Sequence, residues 1–169
     1  MQQAQLDLLV LEAQNGNTKA FECLFEYFHP QLLSFANNLS GNPALAKDAV
    51  QDVWISISRR LRTLNDPRAF KGWIFRALRW RVLDLVKAKS NQYQEINEED
   101  ASEALDESEI QKRELKRAID SLSKRERTVV YLFYMAELSV SEVALVLEIP
   151  SGTVKSRLSA ARSSLQKLL

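Results

Sequence analysis

The sequence predicts an all-α protein made of two small helical domains (an N-terminal helical bundle and a C-terminal helix-turn-helix domain) joined by an acidic flexible linker. Only four Gly and four Pro occur among 169 residues, whereas 46% of the residues are hydrophobic. The chain therefore has enough apolar residues for cores and few residues that interrupt helices. Its apolar residues recur at helical spacing over several long stretches.

Charge is distributed in blocks, although the formal net charge is only +1. Residues 1–88 contain eleven Lys and Arg and eight Asp and Glu, for a net charge of +3. Residues 89–109 contain one and eight, for −7, and residues 110–169 contain eleven and six, for +5. An acidic stretch rich in Glu, Ser and Asn buries too little apolar surface to fold alone. We therefore predict a first domain over 1–88, a linker over 89–109 and a second domain over 110–169.

The first domain is predicted to be helical throughout, with helices over 20–39, 44–61 and 67 to about 87. Capping and helix-breaking residues mark these boundaries: Asn17, Thr18, Gly41, Asn42, Pro43, Asp66 and Pro67. The expected core side chains are Ala46, Ala49, Val50, Val53, Trp54, Ile57 and Leu61 on the second helix and Phe70, Ile74, Ala77, Leu78 and Leu85 on the third.

The polar face of the 44–61 helix contains one apolar residue. Asp48, Gln51, Asp52 and Arg59 form this face, and Ile55 falls in its middle. A single exposed Ile is often incidental. It can also be the apolar centre of a surface that binds a partner, and the pattern alone leaves both interpretations open.

The helix that follows is both basic and aromatic, with the sequence KGWIFRALRWR over Lys71–Arg81. Aromatic rings stack on unpaired bases and Arg neutralises phosphate, so this composition suits single-stranded DNA. The alternative is that the Trp side chains belong to the core. The pattern favours the core for Trp73 and leaves Trp80 open. Arg81 and Asp84, three residues apart, are close enough to pair.

The second domain ends in a helix-turn-helix pattern. A helix over 109–120 is followed by two capping boxes, Ser123 with Glu126 and Ser139 with Glu142. These open helices that end near residues 136 and 147. A three-residue turn over 148–150 precedes a last helix, whose predicted core stripe is Val154, Leu158, Ala161, Leu165 and Leu168.

The start of this last helix has the composition of a DNA-recognition helix. Small or polar residues approach base edges, and Lys or Arg reach bases and phosphates. The candidate side chains are Ser151, Thr153, Lys155, Ser156, Arg157 and, one turn further on, Arg162. The alternative is an ordinary helical hairpin with a basic exposed face.

The sequence contains no pattern typical of a catalytic site, a metal site or a cofactor site. Its one cysteine, Cys23, excludes an internal disulfide framework. Because it lies among Phe21, Leu24 and Phe25, we expect it to be a buried apolar residue. The N-terminus lacks the pattern of a signal peptide, and no stretch is apolar enough to span a bilayer, so we expect a cytoplasmic protein.

With these motifs in place, the chain resembles the extracytoplasmic-function (ECF) group of bacterial RNA polymerase sigma factors. The resemblance covers residues 15–169 and rests on three stretches in the family's order: Ala46–Trp54, Phe70–Arg76 continuing to Asp84, and Ile149–Arg157. The chain departs from the family's usual pattern with Trp80 in place of Asn, Glu148 in place of Gly and Ser123 in place of Pro. If position 148 requires a positive φ, Glu is strained there.

The resemblance implies a role for each surface. Asp48, Gln51, Asp52 and Ile55 would bind the clamp coiled coil of the largest subunit of core RNA polymerase. The loop from Arg62 to Asn65 would capture a flipped minus-ten base, and Arg76, Arg79 and Trp80 would line the melted strand. Ser151, Thr153, Lys155, Ser156 and Arg157 would read the minus-thirty-five element, with Arg162 near phosphate. The resemblance also implies that the linker crosses a positively charged polymerase channel, and it makes an anti-sigma factor a further candidate partner.

Two other functions compete with this one. A transcriptional regulator could combine the helix-turn-helix with a sensory or dimerising first domain, although the basic-aromatic helix would then have no purpose. A helical enzyme has no catalytic pattern to support it.

Overall fold

The computed structural model describes residues 1–90 and 107–168, with side chains described from residue 113 onward in the second range. Of the predicted linker over 89–109, residues 91–106 lie outside the described residues, whereas 89–90 end α4 and 107–109 begin α5. Every element in the described ranges is helical, which confirms the all-α fold class. None of these helices combines the length and the apolar content that crossing a membrane requires.

Four α-helices form the first helical unit: α1 (Gln3–Gln14), α2 (Thr18–Ser40), α3 (Pro43–Arg60) and α4 (Phe70–Ser90). Short 3-10 turns at Leu61–Thr63 and Pro67–Ala69 join α3 to α4. The predicted capping residues begin these helices. Asn17 and Asn42 accept hydrogen bonds from Ala20 N and Leu45 N, and Asp66 accepts one from Arg68 N.

The second helical unit contains α5 (Glu107–Asp120), α6 (Lys124–Val130), α7 (Val140–Leu147) and α8 (Ser151–Leu168). A π-helical turn over Tyr131–Met135 extends α6. Both predicted capping boxes are present, at Ser123 with Glu126 and at Ser139 with Glu142. Each box satisfies two backbone or hydroxyl donors that the first turn would otherwise leave unpaired.

The two units share one continuous apolar core. The predicted stripe of α3 is buried along its whole length, and α4 contributes Phe70, Ile74 and Leu78. Val143 and Val146 of α7 and Val154 of α8 belong to the same cluster of buried side chains. Helix α7 therefore lies against α4.

Three sequence-based expectations are wrong. Cys23 is exposed, because the buried stripe of α2 runs through Ala20, Leu24 and Phe28 and leaves position 23 at its edge. Leu168 is 57% exposed at the end of α8. Arg81 binds Asp52 of α3 rather than Asp84, with 2.8 Å between Arg81 Nη2 and Asp52 Oδ2.

Candidate nucleic-acid and protein interfaces

The predicted helix-turn-helix is present. Helix α7 ends at Glu148, whose φ of 56° places it in the left-handed region and whose N–H donates to the carbonyl of Ala144. This is the positive φ that the sequence comparison with the family's usual Gly suggested, so Glu148 carries the expected backbone strain. The three-residue turn then leads directly into α8.

The start of α8 presents polar side chains around a buried anchor. Val154 and Leu158 are buried and fix the helix against α7 and α6. Of the six candidate DNA-reading residues, Ser151, Lys155, Ser156 and Arg162 are exposed, and Thr153 and Arg157 are half-buried.

Two of these polar groups already have partners, and two are free within the described part of the chain. Ser156 Oγ donates to the carbonyl of Thr153 at 3.0 Å, and Arg162 Nε donates to Tyr134 Oη at 2.8 Å. Lys155 and Arg157 make no hydrogen bond or ion pair with the other described residues. Their cationic groups can therefore reach a ligand without breaking an internal contact.

Two arginines of α4, unlike Lys155 and Arg157, lie close to a carboxylate. Arg76 Nη2 lies 2.8 Å from Glu148 Oε1, and Arg79 Nη1 lies 3.9 Å from Glu148 Oε2. The guanidinium of Arg79 also lies 5.9 Å from the centre of the Trp80 ring, within the range of a cation–π interaction. The carboxylate of Glu148 thus links the two predicted minus-ten arginines of α4 to the turn of the helix-turn-helix.

The two Trp side chains of α4 differ in exposure. Trp73 is half-buried and packs on the core, with its ring 6.3 Å from that of Phe70. Trp80 is 45% exposed, so part of its ring is open to a ligand. The interpretation of Trp73 as a core residue is confirmed, and Trp80 remains a candidate for stacking.

The loop between α3 and α4 exposes the other two minus-ten candidates, Arg62 and Asn65. Its backbone is fixed by α1, because Gln14 Nε2 donates to the carbonyls of Leu61 and Leu64 at 2.9 and 2.7 Å. Arg62 lines an open cleft of about 520 Å³, together with Arg59 and the start of α2.

The turn that follows this loop is held by an exposed ion pair. Arg68 Nε lies 3.0 Å from Asp66 Oδ1. Hydrogen bonds from the Arg68 side chain and from its backbone N–H lower the pKa of the Asp66 carboxyl. Asp66 therefore stays charged as the cap of the 3-10 turn Pro67–Ala69, which leads into α4.

The proposed polymerase face of α3 brings its four residues together at positions 48, 51, 52 and 55. Asp48 and Gln51 are exposed, and Ile55 is 45% exposed between them. Asp52 is half-buried and is engaged by Arg81 of α4. Three of the four side chains are thus open to a partner, and the fourth also joins α3 to α4.

Sequence reasoning missed the residues that join the two units. Besides Glu148, these are Tyr131, whose Oη donates to the carbonyl of Gln31 at 3.1 Å, and Lys71, whose Nζ donates to the carbonyl of Glu137 at 3.1 Å. A signal was present for Glu148 alone, since a glutamate at a turn position that favours glycine needs a compensating contact.

Comparisons with known proteins identify related sequences over almost the whole chain. A family model described as Sigma-70 region 2 matches residues 24–92, and one described as Sigma-70, region 4 matches residues 112–165. The ECF RNA polymerase sigma factor SigM of Mycobacterium tuberculosis is 31% identical over 157 residues, which cover 91% of this chain and 79% of that protein. SigW of Bacillus subtilis, another ECF sigma factor, is 26% identical over 176 residues, covering 95% and 94%.

Solved structures have the same fold. The sigma factor RpoE from Bartonella quintana, in a co-crystal with the anti-sigma factor NepR, superposes with a TM-score of 0.68 at 25% identity, over 89% of this chain and 96% of that one. CnrH, in complex with the cytosolic domain of CnrY, superposes with a TM-score of 0.67 at 22% identity, over 97% and 96%.

Proposed function

The chain belongs to the ECF family of RNA polymerase sigma factors, and we propose that its two helical units divide the work of promoter recognition. As a sigma factor it associates with RNA polymerase and directs promoter-specific transcription initiation. In our proposal residues 1–88 bind polymerase and minus-ten DNA, residues 110–169 bind the minus-thirty-five element, and residues 89–109 connect them. The chain itself catalyses no reaction and needs no cofactor, and it acts in the cytoplasm, where polymerase and chromosome are.

The minus-thirty-five element is read by the start of α8. The observation that carries this assignment is the group of exposed polar side chains at Ser151, Lys155 and Ser156. Lys155 and the neighbouring Arg157 make no ion pair with any other residue that the structure describes. The buried anchor at Val154 and Leu158 fixes the orientation of the helix. A helix that is anchored on one face and basic on the other can enter a major groove and contact base edges. Thr153 lies in the same first turn, and Arg162 is placed to reach phosphate.

The melted minus-ten strand is bound by α4 and the loop before it. The half-exposed ring of Trp80 offers a stacking surface, and Arg76 and Arg79 are four residues and one residue before it, respectively. Arg62 and Asn65 stand on a loop whose backbone α1 holds in place. A flipped base loses stacking energy of a few kcal/mol, and a rigid loop recovers this loss better than a mobile one.

Core polymerase binds the polar face of α3. Asp48 and Gln51 surround the exposed Ile55, so the face combines charge with one apolar contact. Interfaces of this type place an apolar group at the centre and polar groups at the rim. Asp52 contributes its second carboxylate oxygen while Arg81 holds the first. This gives the exposed Ile55 a function.

An anti-sigma factor is a further proposed partner. The solved relative from Bartonella quintana, which matches 89% of this chain, was crystallised with one. Such a protein would control when this chain reaches polymerase.

A run-off transcription assay tests the proposal. Core RNA polymerase, with and without this chain, is given templates whose two promoter elements are randomised. We expect discrete transcripts only when the chain is present, and we expect Lys155→Ala or Arg157→Ala to reduce their yield. Lys167→Ala, an exposed lysine at the far end of the same helix, is the matched control and should transcribe normally. If the chain stimulates no transcript from any template, the proposed function is wrong.

A further inference from the structure

Helix α7 packs against α4 at a buried glycine. Gly72 of α4 is buried, and a Cβ atom built on it would lie 3.5 Å from Leu145 Cδ2 and 3.9 Å from Glu142 Cγ. These are ordinary van der Waals distances, so a methyl group fits there. A longer side chain would have to displace the side chains of Leu145 and Glu142 or move α7 away. The glycine therefore permits α7 to lie directly on α4.

Polar contacts surround this point and engage three cations of α4. Glu148, at the end of α7, binds Arg76 at 2.8 Å and Arg79 at 3.9 Å. At the other end of α7, the carbonyl of Glu137 accepts a hydrogen bond from Lys71 Nζ. Glu137 and Glu148 are the two non-glycine residues with a positive φ in the described chain, at 54° and 56°. Both turns that frame α7 are thus used to hold α4.

A second contact joins the units on α2. The Tyr131 ring stacks on Phe35, with ring centres 5.7 Å apart and planes 24° apart, and its hydroxyl donates to Gln31 O. The packing of the second helical unit against the first, which we call the closed arrangement, is therefore supported at two separate places. Only one of them, the contact through Glu148, occupies side chains assigned to DNA.

A guanidinium group that is paired with a carboxylate is not available to a phosphate. We propose that Glu148 is an autoinhibitory latch, which in the free chain takes the place of DNA phosphate on Arg76 and Arg79 and keeps the two helical units closed. The inference rests on the proposed function, because it needs α4 to be a DNA-binding helix. It also accounts for a glutamate at a position where glycine would be free of strain.

The latch is weak enough to be released. The paired side chains of Arg76 and Glu148 are 43% and 38% exposed, and exposed ion pairs of this kind shift an equilibrium by only about twofold to fivefold each. A protein partner that binds the open form more tightly can therefore overcome it. Any movement that takes α7 away from α4 frees both arginines together.

The test compares two glutamates in the full chain. Glu148→Gln keeps the size of the side chain and removes the charge that holds the arginines. Glu137→Gln removes the same charge from the other positive-φ turn, but its contact with Lys71 is made by the backbone carbonyl and survives. Both variants change the net charge equally, so the contribution of net charge to DNA binding is similar in each, and Gly72→Leu tests closure without any change of charge.

The measured quantities are the affinity of the free chain for a labelled oligo-dT strand, by fluorescence anisotropy, and the radius of gyration, by small-angle scattering. We expect Glu148→Gln to bind oligo-dT roughly twofold to tenfold more tightly than Glu137→Gln and to be more expanded. Equal affinity for the two variants would overturn the latch. Gly72→Leu is a second variant that opens the contact without changing charge, and it should show the same gain. An expanded Gly72→Leu chain that binds oligo-dT no better than the wild type also contradicts the proposal.

Run-off transcription separates this inference from the proposed function. If the wild type supports transcription but the two glutamine variants bind oligo-dT equally, the latch is disproved and the sigma function stands. If no template is transcribed but Glu148→Gln binds oligo-dT more tightly, the proposed sigma function is disproved. The contact through Glu148 would then still cover a helix that binds nucleic acid.

Discussion

Helices α4 and α8 are both basic, and both are assigned to promoter DNA, but their cations differ in what they contact. Lys155 and Arg157 of α8 make no ion pair with another described residue, whereas Arg76 and Arg79 of α4 share the carboxylate of Glu148. The minus-thirty-five surface is thus ready for its ligand in the free chain. The minus-ten surface must first lose an internal partner.

This difference shows that the composition of a helix does not by itself give the accessibility of its charges. The two helices were assigned to DNA by the same reasoning, from basic residues at helical spacing. What distinguishes them is a contact between residues 76 and 148, and such a contact depends on tertiary packing.

The largest expected effect comes from removing a core ring where the units meet. Phe35 is fully buried, and the centre of its ring lies 5.6 Å from the centre of the Phe75 ring. The same ring stacks on Tyr131. Replacing it with Ala should lower the free energy of unfolding by about 3–5 kcal/mol. It should also separate the units, since Tyr131 loses its ring partner. Urea unfolding by circular dichroism measures the first effect, and small-angle scattering without urea measures the second.

Phe28→Ala is the matched control. Phe28 is equally buried, and its ring packs on those of Phe70 and Phe75, whereas the Tyr131 ring stacks on Phe35. Its removal should cost a similar free energy of unfolding and leave the radius of gyration unchanged. If the Phe28 variant expands as much as the Phe35 variant, the units are held by general core stability and the specific role of the Phe35–Tyr131 stack is wrong.

Local features of the fold were predictable from the sequence. Asn17, Asn42 and Asp66 all cap helices as expected, because a capping side chain bonds to a backbone N–H within three residues. The core stripe of α3 was also predictable, since one face of a helix repeats regularly. The structure shows that Ile55 is exposed. Its proposed contact with polymerase stays a prediction.

Features that depend on neighbouring helices were not predictable. Cys23 was expected to be buried because its sequence neighbours are apolar, but Phe25 beside it is itself 39% exposed. Arg81 forms its ion pair with Asp52, 29 positions away, and not with Asp84 on its own helix. The Arg76–Glu148 pair spans 72 positions. Helical periodicity describes one helix at a time and contains no information about such pairs.

The next effect compares the two DNA surfaces directly. Lys155→Ala or Arg157→Ala should weaken binding of the free chain to duplex promoter DNA by roughly 1–3 kcal/mol if the side chain reads a base. Arg76→Ala should leave the same affinity nearly unchanged, since its guanidinium contacts Glu148 in the free chain. Fluorescence anisotropy at several salt concentrations measures all three. A loss for Arg76→Ala as large as that for Lys155→Ala would mean that the two surfaces are equally accessible.

A smaller effect is expected on the polymerase face. Ile55 is already about half-buried, so Ile55→Ser should weaken binding to core polymerase by about 1 kcal/mol through the lost apolar contact. Val86→Ser makes a similar change at an exposed position of α4 and should bind normally. Binding is measured by anisotropy of the labelled chain, with circular dichroism to check the fold. Equal affinity of both variants and the wild type would remove Ile55 from the interface.

The smallest expected effect is the loss of one hydroxyl between the units. Tyr131→Phe keeps the ring on Phe35 and removes the O–H that donates to Gln31 O. One neutral hydrogen bond contributes about 0.5–1.5 kcal/mol, and the lower end is expected for a half-buried group. The closed arrangement should therefore weaken slightly, and oligo-dT binding by the free chain should rise by less than it does for Glu148→Gln.

The same hydroxyl gives the contact a pH dependence of known sign. Burial raises the pKa of Tyr131, and a hydrogen bond with Ser34 offsets part of that rise. Because the closed form holds this proton more tightly than an exposed tyrosine does, its contribution to closure is complete below the ordinary tyrosine pKa of about 10. It is lost as the pH rises through the raised value. Ultraviolet difference absorbance, recorded for the wild type and for Tyr131→Phe, isolates this one titration from those of the other tyrosines. A difference titration at or below the ordinary value would place Tyr131 in water, and the contact between α2 and the second helical unit would then be open in solution.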